Sequence, residues 1–239
     1  MATYCVSDVH GEYGAFLRLL ETIRFSAEDT LYIIGDLVDR GPQPLTLVRD
    51  VMARDNVVAL AGNHDLLACI YLRKLIYGGR AEDLDEQTMM NILVWRGDGG
   101  AATLAEFHRL SIPEREEIVD WLEELELYAE LTIGGETYVL VHAGLGEKAD
   151  PDRPLEDYEL EDYLFTRPDY DRVIFPDKYI VSGHTPTRLI AGSGGADRIV
   201  RVNRHIAIDC GCTFGGRLAA LCLETGEEFY VDKGGTADE

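Results

Sequence analysis

The chain has 239 residues, 46% of them hydrophobic, which is enough apolar material for one sizeable core and fits one domain rather than two. Against 22 Lys and Arg stand 44 Asp and Glu, a net charge of −22, so most of the surface repels polyanions and duplex nucleic acid is not expected as a partner. Bound divalent cations would neutralise some of these carboxylates locally. No basic leader is seen at the start, and no segment nears the roughly 18 apolar residues of a membrane span, so the expected setting is the cytoplasm, away from membranes.

Residues 3–7 form a short β-type run that ends at Asp8, and Phe16, Leu19, Leu20 and Ile23 then recur at helical spacing. Residues 31–34 are apolar and stop at Gly35-Asp36; residues 45–52 read as a helix; residues 57–60 read as a strand ending at Gly62-Asn63-His64-Asp65. Strand, polar glycine-containing loop, then helix predicts βαβ units in a parallel sheet covered on both faces. Ligands of such sheets gather beyond the carboxyl ends of the strands. The middle is more helical. Ser111 and Glu114 are spaced as a capping box, and Ile118, Trp121, Leu122 and Leu125 give the helix that follows an apolar stripe, which places it beside a site rather than in one. Gly134-Gly135, between strand patterns at 131–133 and 138–141, marks a hairpin. Residues 179–181 predict a strand ending at Gly183-His184, and residues 206–208, 218–223 and 228–231 read as a terminal antiparallel set. Residues 150–157, acidic and with two prolines, read as a surface loop. Residues 234–239 read as a frayed tail, leaving 1–233 as the domain.

Five short polar clusters follow strand patterns: Asp8-Val9-His10-Gly11, Gly35-Asp36-Leu37-Val38-Asp39-Arg40-Gly41, Gly62-Asn63-His64-Asp65, Val141-His142-Ala143-Gly144 and Gly183-His184-Thr185. Each sets a metal-ligand type beside glycine, which lets the backbone turn sharply and approach a bound group. Four of the six histidines fall in these clusters, and the five together point to a dinuclear metal site. Carboxylate, imidazole and amide oxygen suit Mn²⁺, Fe or Zn²⁺ better than a thiolate set would. The cysteines Cys5, Cys69, Cys210, Cys212 and Cys222 show no C-x-x-C spacing and read as small, half-buried strand residues in a reducing compartment. His108 and His205 fit no motif and read as ordinary helix and strand residues.

On these clusters, and most specifically on the stretch from Gly35 to Gly41, the sequence resembles the phosphoprotein phosphatase family of calcineurin-like metallophosphoesterases. That family includes bacterial and phage serine/threonine phosphatases and the symmetrical diadenosine tetraphosphatases. The likeness runs from Asp8 to about Leu223. It implies an α/β fold, a β-sandwich of mixed sheets flanked by helices. It implies two divalent ions, Mn²⁺ first, with Fe or Zn²⁺ as alternatives. Asp8 and His10 would hold the first ion, Asp36 would bridge, and Asn63, His142 and His184 would complete the second. A hydroxide shared by the ions, roughly 3.5–4 Å apart, would be the nucleophile. His64 would act as general acid with Asp39 fixing its tautomer, and Arg40 would grip the phosphate. A second gripping arginine is expected: Arg167, in Leu164-Phe165-Thr166-Arg167-Pro168, is favoured over Arg96, in Trp95-Arg96-Gly97-Asp98-Gly99-Gly100. Two residues depart from the family pattern. Asp65 stands where many members have Glu, and is expected to change packing around the ligands. Asp98 stands in place of Asn and puts a negative charge near the groove.

Hydrolysis of phosphomonoesters, phosphoserine and phosphothreonine in proteins above all, is the leading expectation. Symmetrical cleavage of diadenosine tetraphosphate to ADP is the alternative. The stretch from Ile208 to Leu218 resembles both subfamilies, and the −22 charge slightly disfavours a highly anionic nucleotide. A non-catalytic metal-binding scaffold is more distant, because the ligand set, His64 and Arg40 are all present. A nuclease is more distant still, since no basic stripe is present to track a backbone.

Overall fold

Burial alternates along the strands, and that alternation decides the layers. In the computed structural model, which describes residues 1–77, 84–146 and 149–234, β1 (Thr3–Val6) turns Tyr4 and Val6 to one side and Cys5 to the other. β2 (Thr30–Ile34) divides Leu31 and Ile33 from Ile34 in the same way. The first side meets Phe16 and Leu19 of α1 (Tyr13–Thr22) and Leu47 and Val48 of α2 (Pro44–Met52). Each fully buried side chain of this size contributes roughly 1.5–3 kcal/mol. The second side does not meet helices. Cys5, Ile34 and Leu60 pack on Leu140, Val181 and Ile206 of another sheet.

The first sheet runs β10-β9-β1-β2-β3, with β3 at Val57–Leu60, β9 at Arg217–Cys222 and β10 at Glu228–Asp232. Its β1, β2 and β3 are parallel, and β9 joins β1 antiparallel. The second sheet runs β4-β5-β6-β8-β7, with β4 at Tyr128–Ile133, β5 at Glu136–Val141, β6 at Lys178–Ser182, β7 at Val200–Val202 and β8 at His205–Ala207. Here β5, β6 and β8 are parallel. The sandwich of two mixed sheets with flanking helices is the architecture the sequence led us to expect. Its layering differs from the simple parallel sheet, because helices cover one face of the first sheet and a second sheet covers the other. Residues 206–208 do not join a terminal antiparallel set. Their strand lies in the second sheet, parallel to β6 and antiparallel to β7, a pairing set by non-local packing rather than by the local pattern.

The remaining helices are α3 (Asn63–Tyr77), α4 (Glu86–Trp95), α5 (Ala101–Phe107), α6 (Ile112–Glu123) and α7 (Leu160–Leu164). The capping box at α6 is formed: Glu114 accepts from the Ser111 amide at 2.9 Å. The helix packs Ile118, Val119 and Leu122 into the helical side of the core, against α3 and α2. The loop at 150–157 is not wholly superficial, since Leu155 turns inward against Val139 and Val141 on the outer face of the second sheet. All five cysteines are free and buried rather than half-buried, and only Cys5 and Cys222 lie on strands: Cys69 is on α3, and Cys210 and Cys212 lie in the turn between β8 and β9. His205 sits in β8 and His108 follows α5, as ordinary residues. The tail expected at 234–239 lies outside the described residues beyond Gly234. No described helix is long and apolar enough to cross a membrane.

Candidate active site

Parallel strands of both sheets end together, and each hands over to a polar residue within a few positions. Asp8 follows β1, Asp36 follows β2, Asn63 opens α3 after β3, His142 follows β5 and His184 follows β6. Asp8, His10, Asp36, Asp39, Arg40 and His184 all adopt a left-handed backbone, with φ of 51°, 46°, 57°, 71°, 65° and 62°. Such conformations cost on the order of 1–3 kcal/mol each and persist only where neighbours enforce them. Here the neighbours are explicit. The amides of Asp8 and His10 donate to the carbonyls of Gly35 and Asp36 at 3.1 and 2.8 Å. The Asp65 carboxylate accepts from the amides of Asp36 (2.8 Å), Leu37 (2.9 Å), Val38 (3.2 Å) and Gly62 (2.9 Å), so it pins the turn that carries Asp36. Close approach also depends on missing side chains. A Cβ on Gly62 would lie 2.2 Å from Asp36 Oδ1, and one on Gly183 would lie 2.1 Å from Asp8 Oδ2.

Lone pairs converge at this junction. His10 donates through Nδ1 to the Val38 carbonyl at 2.8 Å, which leaves Nε2 facing Asp36 Oδ2 at 3.3 Å. His142 donates through Nδ1 to the Ile34 carbonyl at 3.0 Å, which leaves Nε2 3.5 Å from Asp36 Oδ1. Asn63 Oδ1 sits 3.0 Å from both His142 Nε2 and His184 Nδ1. Burial, His142 and Arg167 push the His184 pKa down to about 3, against a backbone contact with Phe165 that favours its proton. Three acceptors thus face one another with no proton to share, which is an environment for a cation. Burial pushes Asp8 up to about 6, with His142 opposing and Asp36 adding to the rise. Asp36 rises to about 6 for the same first reason, against the pull of His64. Ligand atoms of Asp8, Asp36 and His142 lie within 4.8 Å of one another, as do those of His10, Asp36 and His64. Asp36 belongs to both groups, and its two oxygens point to different imidazoles. Asp8 groups with His142 rather than with His10, because its carboxylate accepts from the His184 amide at 3.0 Å beneath side-chain-free Gly183. One cation is already drawn in: the Arg40 guanidinium bonds His10 Nε2 at 2.5 Å and His64 Nε2 at 2.7 Å. Carboxylates, imidazoles and an amide oxygen with protons turned outward fit divalent metal ions.

The family model for calcineurin-like phosphoesterases matches residues 1–227. The chain belongs to that family. Among curated relatives, a symmetrical bis(5'-nucleosyl)-tetraphosphatase of Paracidovorax citrulli is 37% identical over 158 residues, 65% of this chain and 49% of that protein. One from Methylobacillus flagellatus is 28% identical over 100% of this chain and 79% of its own length. The chain spans about half the length of several curated relatives it matches, among them the one from Paracidovorax citrulli. A crystal structure of a candidate diadenosine tetraphosphatase shares the fold, with a TM-score of 0.66 at 19% identity, covering 96% of this chain and 92% of that one.

Beside this cluster, His64 Nδ1 donates to Asp39 Oδ2 at 2.7 Å. Asp39 is wholly buried and receives Trp95 Nε1 at 2.7 Å and the Thr103 hydroxyl at 2.6 Å, so its carboxylate cannot turn away. Burial pulls the His64 pKa down, yet the Asp39 bond and the charge of Asp36 outweigh it, and the net shift is upward. A cavity of about 380 Å³ opens over the cluster, lined by Arg40, Arg167 and Arg188 with Asp209 and Phe214. Arg167 therefore lies where the sequence favoured it. Arg96 does not reach the cavity: it follows α4 on the exposed side, and the same segment instead brings Asp98 Oδ2 to 3.7 Å from His64 Nε2. Sequence reasoning missed Arg188, Asp209 and Phe214. Asp209 and Phe214 sit within the glycine-rich stretch after Ile208 that marked the family likeness. Arg188 had only its place four residues beyond His184 as a signal.

Proposed function

We propose that the chain hydrolyses the phosphoanhydride of a dinucleoside polyphosphate, with diadenosine tetraphosphate cleaved symmetrically to two ADP as the reference reaction. The carrying observation is the gathering of Arg40, Arg167 and Arg188 around one cavity above the ligand cluster, in a chain of net charge −22. Three of the chain's 22 Lys and Arg line this one cavity, Arg188 also pairing with Asp197 at 2.8 Å, and planar guanidinium groups match phosphate oxygens bidentately. Relatives named for that reaction support the choice. This reverses the order drawn from the sequence, which put phosphoserine and phosphothreonine first.

Asp8, His10, Asp36, Asn63, His142 and His184 would hold two divalent ions, with Mn²⁺ the leading choice and Fe or Zn²⁺ the alternatives. Bound there, the ions would supply a nucleophilic hydroxide near neutral pH and offset charge on the phosphoryl oxygens. Arg40 and Arg167 orient the phosphate chain. His64 donates its Nε2 proton to the oxygen of the departing nucleotide, while Asp39 holds the ring and favours the imidazolium. Five buried free cysteines fit a reducing compartment such as the cytoplasm. The test is a side-by-side assay of diadenosine tetraphosphate and a phosphoserine peptide in Mn²⁺. ADP as the sole nucleotide product, with the peptide turned over more slowly, is expected. AMP with ATP, or faster peptide turnover, would overturn the assignment.

A further inference from the structure

Phe214 is 55% exposed, yet it is not on a loose loop. Its amide donates to the Gly211 carbonyl at 2.9 Å, the Gly216 amide donates to the same carbonyl at 2.9 Å, and the Arg217 amide closes the turn on the Cys210 carbonyl at 3.0 Å. Asp209 Oδ1 accepts the Gly211 amide at 2.8 Å, and Lys233 Nζ reaches the Thr213 carbonyl at 3.2 Å. Arg188 runs against this turn: a Cβ on Gly211 or Gly216 would lie 2.6 or 2.8 Å from its Nη2. The turn is thus a fixed bracket, and it presents a solvent-facing aromatic ring at the cavity that the arginines line. Leu189, 62% exposed, and Pro186 line the same cavity. Phe214 and Leu189 leave most of their surface in water beside the arginines, with half-buried Pro186 next to them. Their chemistry suits a flat, apolar-faced moiety attached to phosphate.

We propose that Phe214 is the stacking platform for a nucleobase of the substrate, with Leu189 and Pro186 completing the base end of the cavity. This rests on the dinucleotide reading above and assigns a specificity-determining residue to it. A competing role is visible and testable: Arg40 Cζ lies 5.0 Å over the Phe214 ring, so the ring could serve only to hold that guanidinium. The two roles separate by ligand. A stacking platform acts on ADP and not on inorganic pyrophosphate, whereas an Arg40 support acts on both.

The experiment is calorimetric titration of Mn²⁺-loaded wild type, Phe214→Ala and Phe214→Trp with ADP and with pyrophosphate. Phe214 is more than half exposed, so its truncation spares the core. We expect Phe214→Ala to weaken ADP by roughly 5- to 150-fold more than it weakens pyrophosphate, and Phe214→Trp to keep the preference for ADP. Equal losses for the two ligands, or a wild type that binds ADP no better than pyrophosphate, would overturn the proposal. Absence of ADP from the diadenosine tetraphosphate assay would instead strike the parent reading, which this binding measurement does not use.

Discussion

To serve a leaving oxygen, His64 must carry a proton at Nε2, yet that atom accepts from Arg40 at 2.7 Å. Protonation and release of Arg40 must therefore go together, and an anionic substrate that draws the guanidinium achieves both. His64→Asn is expected to leave metal content unchanged and to lower turnover of an alkyl phosphomonoester by roughly 10²–10⁴. The loss should be smaller for a phosphoanhydride, whose leaving nucleotide needs protonation less. Steady-state kinetics on both substrate types checks this, and equal turnover by wild type and variant on the alkyl ester would remove the proton-donor role. His64 and Asp39 were legible in the sequence because each adjoins a ligand motif. Trp95 and Thr103, which fix Asp39, come from the end of α4 and from α5, and their function exists only through tertiary contact.

At the scale of elements, one carboxylate joins the turn after β2 to the start of α3. Asp65 takes four backbone amides, which an amide side chain, with one acceptor oxygen, could not reproduce in place. Asp65→Asn replaces one acceptor by a donor against an amide. It is expected to cost about 1–3 kcal/mol in chemical denaturation and to weaken metal retention, because Asp36 loses its anchor. Unchanged stability would show that the turn holds without these bonds. The strands leading into the motifs were readable because buried parallel strands are short continuous apolar runs. Three-residue β7 was not, and β8 was assigned to the wrong sheet, since so few residues carry too little periodicity to name a partner.

For the whole molecule, the governing fact is an excess of carboxylates, several of them buried together. Burial raises Asp8 and Asp36 to about 6 and Asp65 to about 7, and it lifts Asp209 well above its ordinary value. Groups raised in the folded state bind protons there that the unfolded chain has already lost. Metal-free stability should therefore fall as pH rises from about 4 to about 7. Asp29, Asp85, Glu114 and Glu224 are held below their ordinary values. Their contribution is present above the unfolded pKa and is lost only at lower pH. Burial also holds His10, His184 and His205 below the ordinary histidine value; these groups gain stability as pH rises toward about 6.5 and offset part of the fall from the four carboxylates. The chelated protein should thus melt at a lower temperature at pH 7 than at pH 5, and Mn²⁺ at pH 7 should reverse the loss. A metal-free melting temperature that rises across this interval would mean that the buried histidines outweigh the buried carboxylates and would contradict the expected trend.

The most direct test is the amount of metal each chain retains. Protein stripped with chelator, reloaded with Mn²⁺ and desalted should carry two ions per chain by elemental mass spectrometry. One ion or none would mean that Asp36 does not bridge a pair and that the cluster at the strand ends does other chemistry.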